Sequence, residues 1–134
     1  MTDRVRQLRL CVTAPDYDEA LRFYRDVLGL PEQGTYTSAD GGRVTILAVG
    51  PTATLELADP TYAAYIDEVE VGSRVAGHVR VAFEVDDCTA VAERLAGAGA
   101  AVLAVPTRTP WNSLNARLSA PAGLQLTLFE ELGG

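Results

Sequence analysis

The side chains with most chemistry to offer are two arginines, Arg9 and Arg80, and two glutamates, Glu56 and Glu84, each set among apolar neighbours. A guanidinium is a planar fork of donors that suits a carboxylate, phenolate or carbonyl. A carboxylate can serve as a general base, although a nearby arginine depresses its pKa and weakens it in that role. Two readings of these four residues can coexist. Arg9 or Arg80 pairs with Glu56 or Glu84 inside the protein, because buried charges need partners, or a guanidinium orients an oxygen of a ligand. His78 is the only histidine and lies two residues before Arg80, on the same strand face and about 6.6 Å further along. With Glu56 it makes two ligands, fewer than the three usual at a catalytic zinc or a facial triad, so it reads as a strand-edge or linker residue.

Other reactive types lack their partners. Cys11 has no neighbouring histidine to activate it and reads as a small buried hydrophobe. Ser113 and Ser119 belong to no triad, and Gly97-Ala98-Gly99 reads as a helix end rather than a phosphate loop. Trp111, the only tryptophan, follows Pro110 on a loop. It is either an anchor into the core or a stacking platform for a planar ligand, joined by Tyr36, Tyr62 or Tyr65.

A chain of 134 residues with 48% apolar content forms one ordinary domain. The net charge of −7 and the absence of lysine argue against nucleic acid, which needs clustered cations. No apolar run approaches the roughly 20 residues of a membrane span. Met1-Thr2-Asp3-Arg4 opens no secretory signal, and two cysteines make no disulfide framework. The expectation is a cytoplasmic protein with free thiols.

The elements that must position these residues repeat. Leu8, Leu10 and Val12 alternate along a first strand, Val5 to Thr13, and Asp16 with Glu19 forms a capping pattern for a helix from Tyr17 to about Val27. Ala20, Leu21, Tyr24 and Leu28 share one side of that helix, Phe23 and Tyr24 read as core, and Gly29 ends it. Three strands come next, about Glu32–Ala39, Arg43–Val49 and Thr54–Ala58. The plan recurs as a strand Val79–Val85, a helix from Asp86 or Asp87 to Ala96, and strands Ala101–Val105, Ser113–Ser119 and Leu124–Phe129. Arg9 and Arg80, Asp16 and Asp87, and Glu56 and Thr127 all lie 71 residues apart, with no gap. The expectation is a single domain over residues 1–134 of class α+β: one βαβββ module at about 4–58, a second at about 78–130, and a linker, 59–77, with a short helical turn around Tyr62–Ile66.

The run from Asp16 to Leu30, with its Phe23-Tyr24 pair and terminal Leu28-Gly29-Leu30, resembles the first-helix signature of the vicinal oxygen chelate superfamily, which includes glyoxalase, bleomycin-resistance and extradiol-dioxygenase relatives. Val81 to Asp87 resembles the start of its second module, and Pro110-Trp111 with Ala120-Pro121-Ala122-Gly123 resembles its usual ending. The resemblance implies two βαβββ modules curled into a cup-shaped mixed sheet, and a homodimer. Metal-dependent relatives place ligands on the first and last strand of each module, and the matching positions here are Arg9, Glu56, Arg80 and Thr127. Only Glu56 suits a hard cation, and two guanidiniums would repel one. No metal and no cofactor is therefore expected.

Strand alternation then assigns Arg9, Cys11, Thr13, Glu56 and Ala58 to the cup from the first module, and Arg80, Ala82, Glu84, Gln125, Thr127 and Phe129 from the second. The ligand-binding set expected is Arg9, Cys11, Tyr36, Glu56, Arg80, Glu84, Trp111, Thr127 and Phe129. The function implied is metal-independent binding of a small aromatic or cationic molecule, with antibiotic sequestration as an example from the superfamily. The alternative is a lyase, isomerase or oxygenase with Glu56, or Glu84, as its base.

Overall fold

The structure, a computed structural model, describes residues 4–133. Met1, Thr2 and Asp3, on which the reading of the N-terminus falls, lie outside the described residues. The first module runs β1 (Gln7–Thr13), α1 (Tyr17–Leu21), β2 (Glu32–Thr37), β3 (Arg43–Val49) and β4 (Ala53–Ala58). A helix, α2 (Pro60–Glu70), separates it from β5 (Val79–Glu84), α3 (Cys88–Gly97), β6 (Ala101–Arg108), β7 (Ser113–Ala120) and β8 (Leu124–Glu131). The eight strands form one mixed sheet in the order β2-β3-β4-β1-β5-β8-β7-β6. The α+β class and the two βαβββ modules are as the sequence indicated.

The 71-residue repeat extends to the register of the strands. Leu10 faces Leu55 in the parallel β1–β4 pair, and Val81 faces Leu126 in the parallel β5–β8 pair. Leu47 faces Leu55 in β3–β4, and Leu118 faces Leu126 in β7–β8. Each second pair is the first displaced by 71. The modules join where β1 runs antiparallel to β5, so a single chain closes the whole sheet. Each helix buries its own core against the outer face. Tyr17 and Leu21 pack with Leu47 and Leu57, and Cys88, Val91 and Ala92 pack with Val85, Ala116, Leu118 and Leu128.

Three expectations are corrected. After Leu21 the first helix widens into a π-helical segment, Arg22–Val27, in which the Leu28 N–H reaches back five residues to the Phe23 carbonyl. That wider turn rotates later side chains off the sheet. Phe23 and Tyr24, read as core, are 53% and 36% exposed, and only Tyr17 and Leu21 of this helix are buried. The expected helical turn in the linker is the eleven-residue α2. Asp59 caps it by accepting from the Tyr62 N–H at 2.8 Å, and Pro60 supplies a helical φ at a position with no hydrogen bond to lose. Finally, β6 runs three residues beyond its expected end, to Arg108.

Of these elements, α2 does most to shape the concave side. It packs on β3, β4 and β7, on the face opposite α1 and α3, so that it roofs part of the cup. Gly42 makes this close approach possible, because a Cβ there would lie 2.4 Å from the Tyr62 backbone nitrogen. Among the described residues, no helix is long and apolar enough to cross a membrane.

Candidate ligand-binding cavity

Between α2 and the concave face lies a cavity of about 440 Å³, a size ordinary for small-molecule sites. Strand alternation builds its floor. Arg9 and Cys11 from β1, Glu56 from β4, Arg80 and Ala82 from β5, and Thr127 and Phe129 from β8 all point into it. Tyr36 on β2 and Trp111 in the β6–β7 turn stand at the rim, where Trp111 is 42% exposed. The turn is well tied. The Thr109 N–H donates to the Ser113 carbonyl at 2.8 Å, and the Asn112 side-chain amide donates to the Gly133 carbonyl at 2.9 Å.

The charged groups divide into satisfied and unsatisfied sets. Arg9 Nη1 approaches Glu56 Oε2 at 3.7 Å, while its Nε donates to Gln7 at 2.9 Å and its guanidinium lies 4.4 Å over the Phe129 ring. The pairing reading thus holds for Arg9. Arg80 differs, since among the described residues its one hydrogen bond goes from Nη1 to the neutral Thr127 hydroxyl at 2.9 Å. Burial works against its charge, but the fields of Cys11, Glu70, Glu56 and Asp67 outweigh that and raise its pKa. Cys11 sits beside both. Burial, helped by Glu56, pushes its thiol up to about 12, so it carries no nucleophilic thiolate at neutral pH. Burial likewise lifts the Tyr62 phenol to about 12 and keeps it a neutral donor.

Behind Thr127 lies a buried network that was not legible in the sequence. Arg117 on β7 has no solvent exposure. It donates from Nη1 to Asp67 at 2.9 Å and Gln125 at 2.7 Å, and from Nη2 to Glu70 at 2.7 Å. Glu70 also accepts from the Asn115 amide at 2.8 Å, and Asn115 accepts from Ser113 Oγ at 2.6 Å. Asp67 is further held by Arg74 at 2.7 Å and by the Val75 and Ala76 N–H groups, each at 2.8 Å. Although burial opposes ionisation, these donors together bring the Asp67 carboxyl down to about 2. The network pins the C-terminal half of α2 to β7, and it presents Glu70, Ser113 and Asn115 to the cavity as groups already occupied.

Of the expected binding set, Arg9, Cys11, Tyr36, Glu56, Arg80, Trp111, Thr127 and Phe129 line the cavity. Glu84 does not. It lies two residues past Ala82, level with Gln7 where β1 begins, and so falls beyond the lining. Thr13 and Ala58 border a smaller recess beneath α2 rather than the main cavity, and Gln125 is drawn to Arg117. Sequence reasoning missed Glu70 and Ile66, which α2 delivers, along with Val44, Ile46 and Asn115. The available signal was Asp59-Pro60, a helix start that extends the short turn.

The donor set does not fit a metal ion. The matching positions offer two guanidiniums, a hydroxyl and one carboxylate, and that carboxylate already faces Arg9. Among the described residues, no three His, Cys, Asp or Glu side chains converge as a metal centre requires.

Comparison with known proteins accords with this fold. Residues 6–128 match the family model described as the Glyoxalase/Bleomycin resistance protein/Dioxygenase superfamily. A variant of Streptomyces coelicolor methylmalonyl-CoA epimerase, solved with 2-nitronate-propionyl-CoA, is 23% identical, with 99% of this chain and 100% of that one covered and a TM-score of 0.66. Methylmalonyl-CoA epimerase from Mycobacterium tuberculosis is 24% identical, with 94% and 86% covered and a TM-score of 0.63. A glyoxalase/bleomycin resistance protein/dioxygenase superfamily member from Vibrio splendidus is 13% identical, with 92% and 97% covered and a TM-score of 0.65. At these identities the likeness is one of fold. No curated protein matches the chain.

Proposed function

The chain belongs to the Glyoxalase/Bleomycin resistance protein/Dioxygenase superfamily, and we propose that it is a metal-independent binding protein for a small aromatic molecule. One observation carries this reading: the cavity keeps its volume and an aromatic rim, while arginine stands where a metal would need a ligand. Tyr36, Tyr62, Trp111 and Phe129 offer ring faces and edges to a planar body, and burying such a body is the main source of affinity. Sequestration is the role this supports, antibiotic resistance being the example the superfamily offers. Two free cysteines accord with a cytoplasmic location. A homodimer belongs to the same proposal. Across the β1–β5 seam, Leu8, Leu10 and Val79 are exposed on the outer face, where a second copy would cover them.

A second reading, an enzyme that abstracts a proton with Glu56, draws on the absence of any hydrogen bond to that carboxylate among the described residues. Trp111 emission separates binding from its absence. Titration with planar aromatic compounds should give saturable quenching, and Trp111→Ala should weaken affinity by about 1–3 kcal/mol. Tight binding that Trp111→Ala leaves intact would put the site elsewhere. A compound recovered chemically altered, with turnover abolished in Glu56→Gln, would establish the enzyme instead.

A further inference from the structure

Cys11 has Glu56 as its register partner on one side, across β4, and Arg80 on the other, across β5. All three line both the main cavity and a smaller recess of about 30 Å³ beneath α2, which has room for about two waters. Glu56 and Arg80 are opposite charges on one face with a single strand between them, yet they form no ion pair. Elsewhere in the cup the charges are matched. Arg117 meets Asp67 and Glu70, Arg74 meets Asp67, and Arg9 meets Glu56. Arg80 alone of the cavity guanidiniums faces no carboxylate within ion-pair range among the described residues, and its bond to Thr127 uses only one of five donors.

We infer that the gap above Cys11, between Glu56 and Arg80, is the head-group site for an aromatic acid that carries a hydroxyl or amino donor next to its carboxylate. The inference rests on the ligand-binding reading of the cup. Arg80 supplies a fork of charge-assisted donors to the carboxylate, and Glu56, which accepts no hydrogen bond among the described residues, takes the adjacent O–H or N–H. The donor is required, because a bare carboxylate would meet Glu56 across the gap and be repelled. Glu70 is taken up by Arg117 and Glu131 stands exposed at the rim, so at the gap itself Arg9 and Arg80 face Glu56 alone, which leaves one positive charge for the ligand to neutralise. This favours an acid over a cationic ligand. The aromatic body then extends from the gap toward Tyr36 and Trp111.

A naphthalene series measured by isothermal titration calorimetry tests the head group. The expected order is 3-hydroxy-2-naphthoate tightest, 2-naphthoate at least threefold weaker, and 2-naphthol and 2-naphthylmethylamine at least tenfold weaker. Arg80→Met should weaken both acids at least tenfold. Glu56→Ala should reduce the hydroxy acid to the level of the plain acid without weakening the plain acid. If Arg80→Met fails to fold, Arg80→Lys, which keeps the charge and loses the fork, should still weaken both acids severalfold. The naphthol or the amine binding as tightly as the acids, or a folded Arg80 variant with unchanged affinity, overturns the head-group assignment and leaves the binding reading standing. No binding of any of the four to the wild-type protein overturns both.

Discussion

Glu70, the last residue of α2, meets Arg117 in the middle of β7 at 2.7 Å, and both side chains are buried. Forty-seven residues separate them, and their contact fixes the inter-module helix over the second module's half of the cup. The roof of the cavity is therefore held by charge on one side and by close backbone packing at Gly42 on the other.

Arg117→Met should be strongly destabilising, because it leaves Glu70 buried without a cation and Asp67 with Arg74 alone. Breaking one partner out of such a group costs about 3–5 kcal/mol, a large part of a domain's total stability. Urea denaturation should show the midpoint falling with little change in slope. Replacing Arg117 by Lys should cost less, since charge remains while the fork does not. A midpoint unchanged in Arg117→Met would remove the network from any structural role.

At the other end of α2, Gly42→Ala should displace the helix start, as the new methyl meets backbone rather than a yielding side chain. Overpacking of this kind costs about 1–3 kcal/mol. Ligand affinity should fall along with stability, because Tyr62 and Ile66 move with the helix. A Gly42→Ala protein of unchanged melting temperature and affinity would mean that α2 does not close on the β2–β3 turn.

Acid should reveal Asp67. Its folded-state pKa of about 2 lies below the ordinary carboxylate value of 3.8, so it stabilises the fold above about pH 4 and that contribution fades as pH falls toward 2. The contribution is roughly 2 kcal/mol for a shift of this size. Stability measured between pH 5 and pH 2 should fall more steeply in the wild type than in Asp67→Asn, which has no proton to take up there. Equal slopes would contradict the assignment.

Much of the fold was legible from residue types because the duplication is ungapped. The offset between Arg9 and Arg80 carries straight through to the register of Leu55 and Leu126, so alternation alone told which side chains face inward. Arg80 and Glu56 could be placed for that reason. What escaped lies off the repeat or across it. Arg117 replaces Ile46 at the corresponding register position, but its acidic partners sit on a helix that the repeat does not contain. The long-range partners of a buried charge leave no local signature. The π-helical segment escaped for the opposite reason, because Phe23 and Tyr24 look like core at ordinary helical spacing and are exposed by one widened turn.

Purified protein should carry no stoichiometric zinc, nickel, iron or manganese, and chelator should leave its melting temperature unchanged, since three of the four ligand positions hold arginine or threonine and only Glu56 is a donor for a cation. Elemental analysis finding near one metal per cup would overturn this, and His78 with Glu56 would become the ligands to examine.

Native mass spectrometry of chelator-treated protein with 3-hydroxy-2-naphthoate, followed by chromatographic recovery of the compound, tests metal-independent binding most directly. The account predicts one compound per chain, no mass from a bound metal, and the compound recovered unchanged. A complex that forms only after a divalent metal is restored, or a compound recovered in altered form, would contradict it.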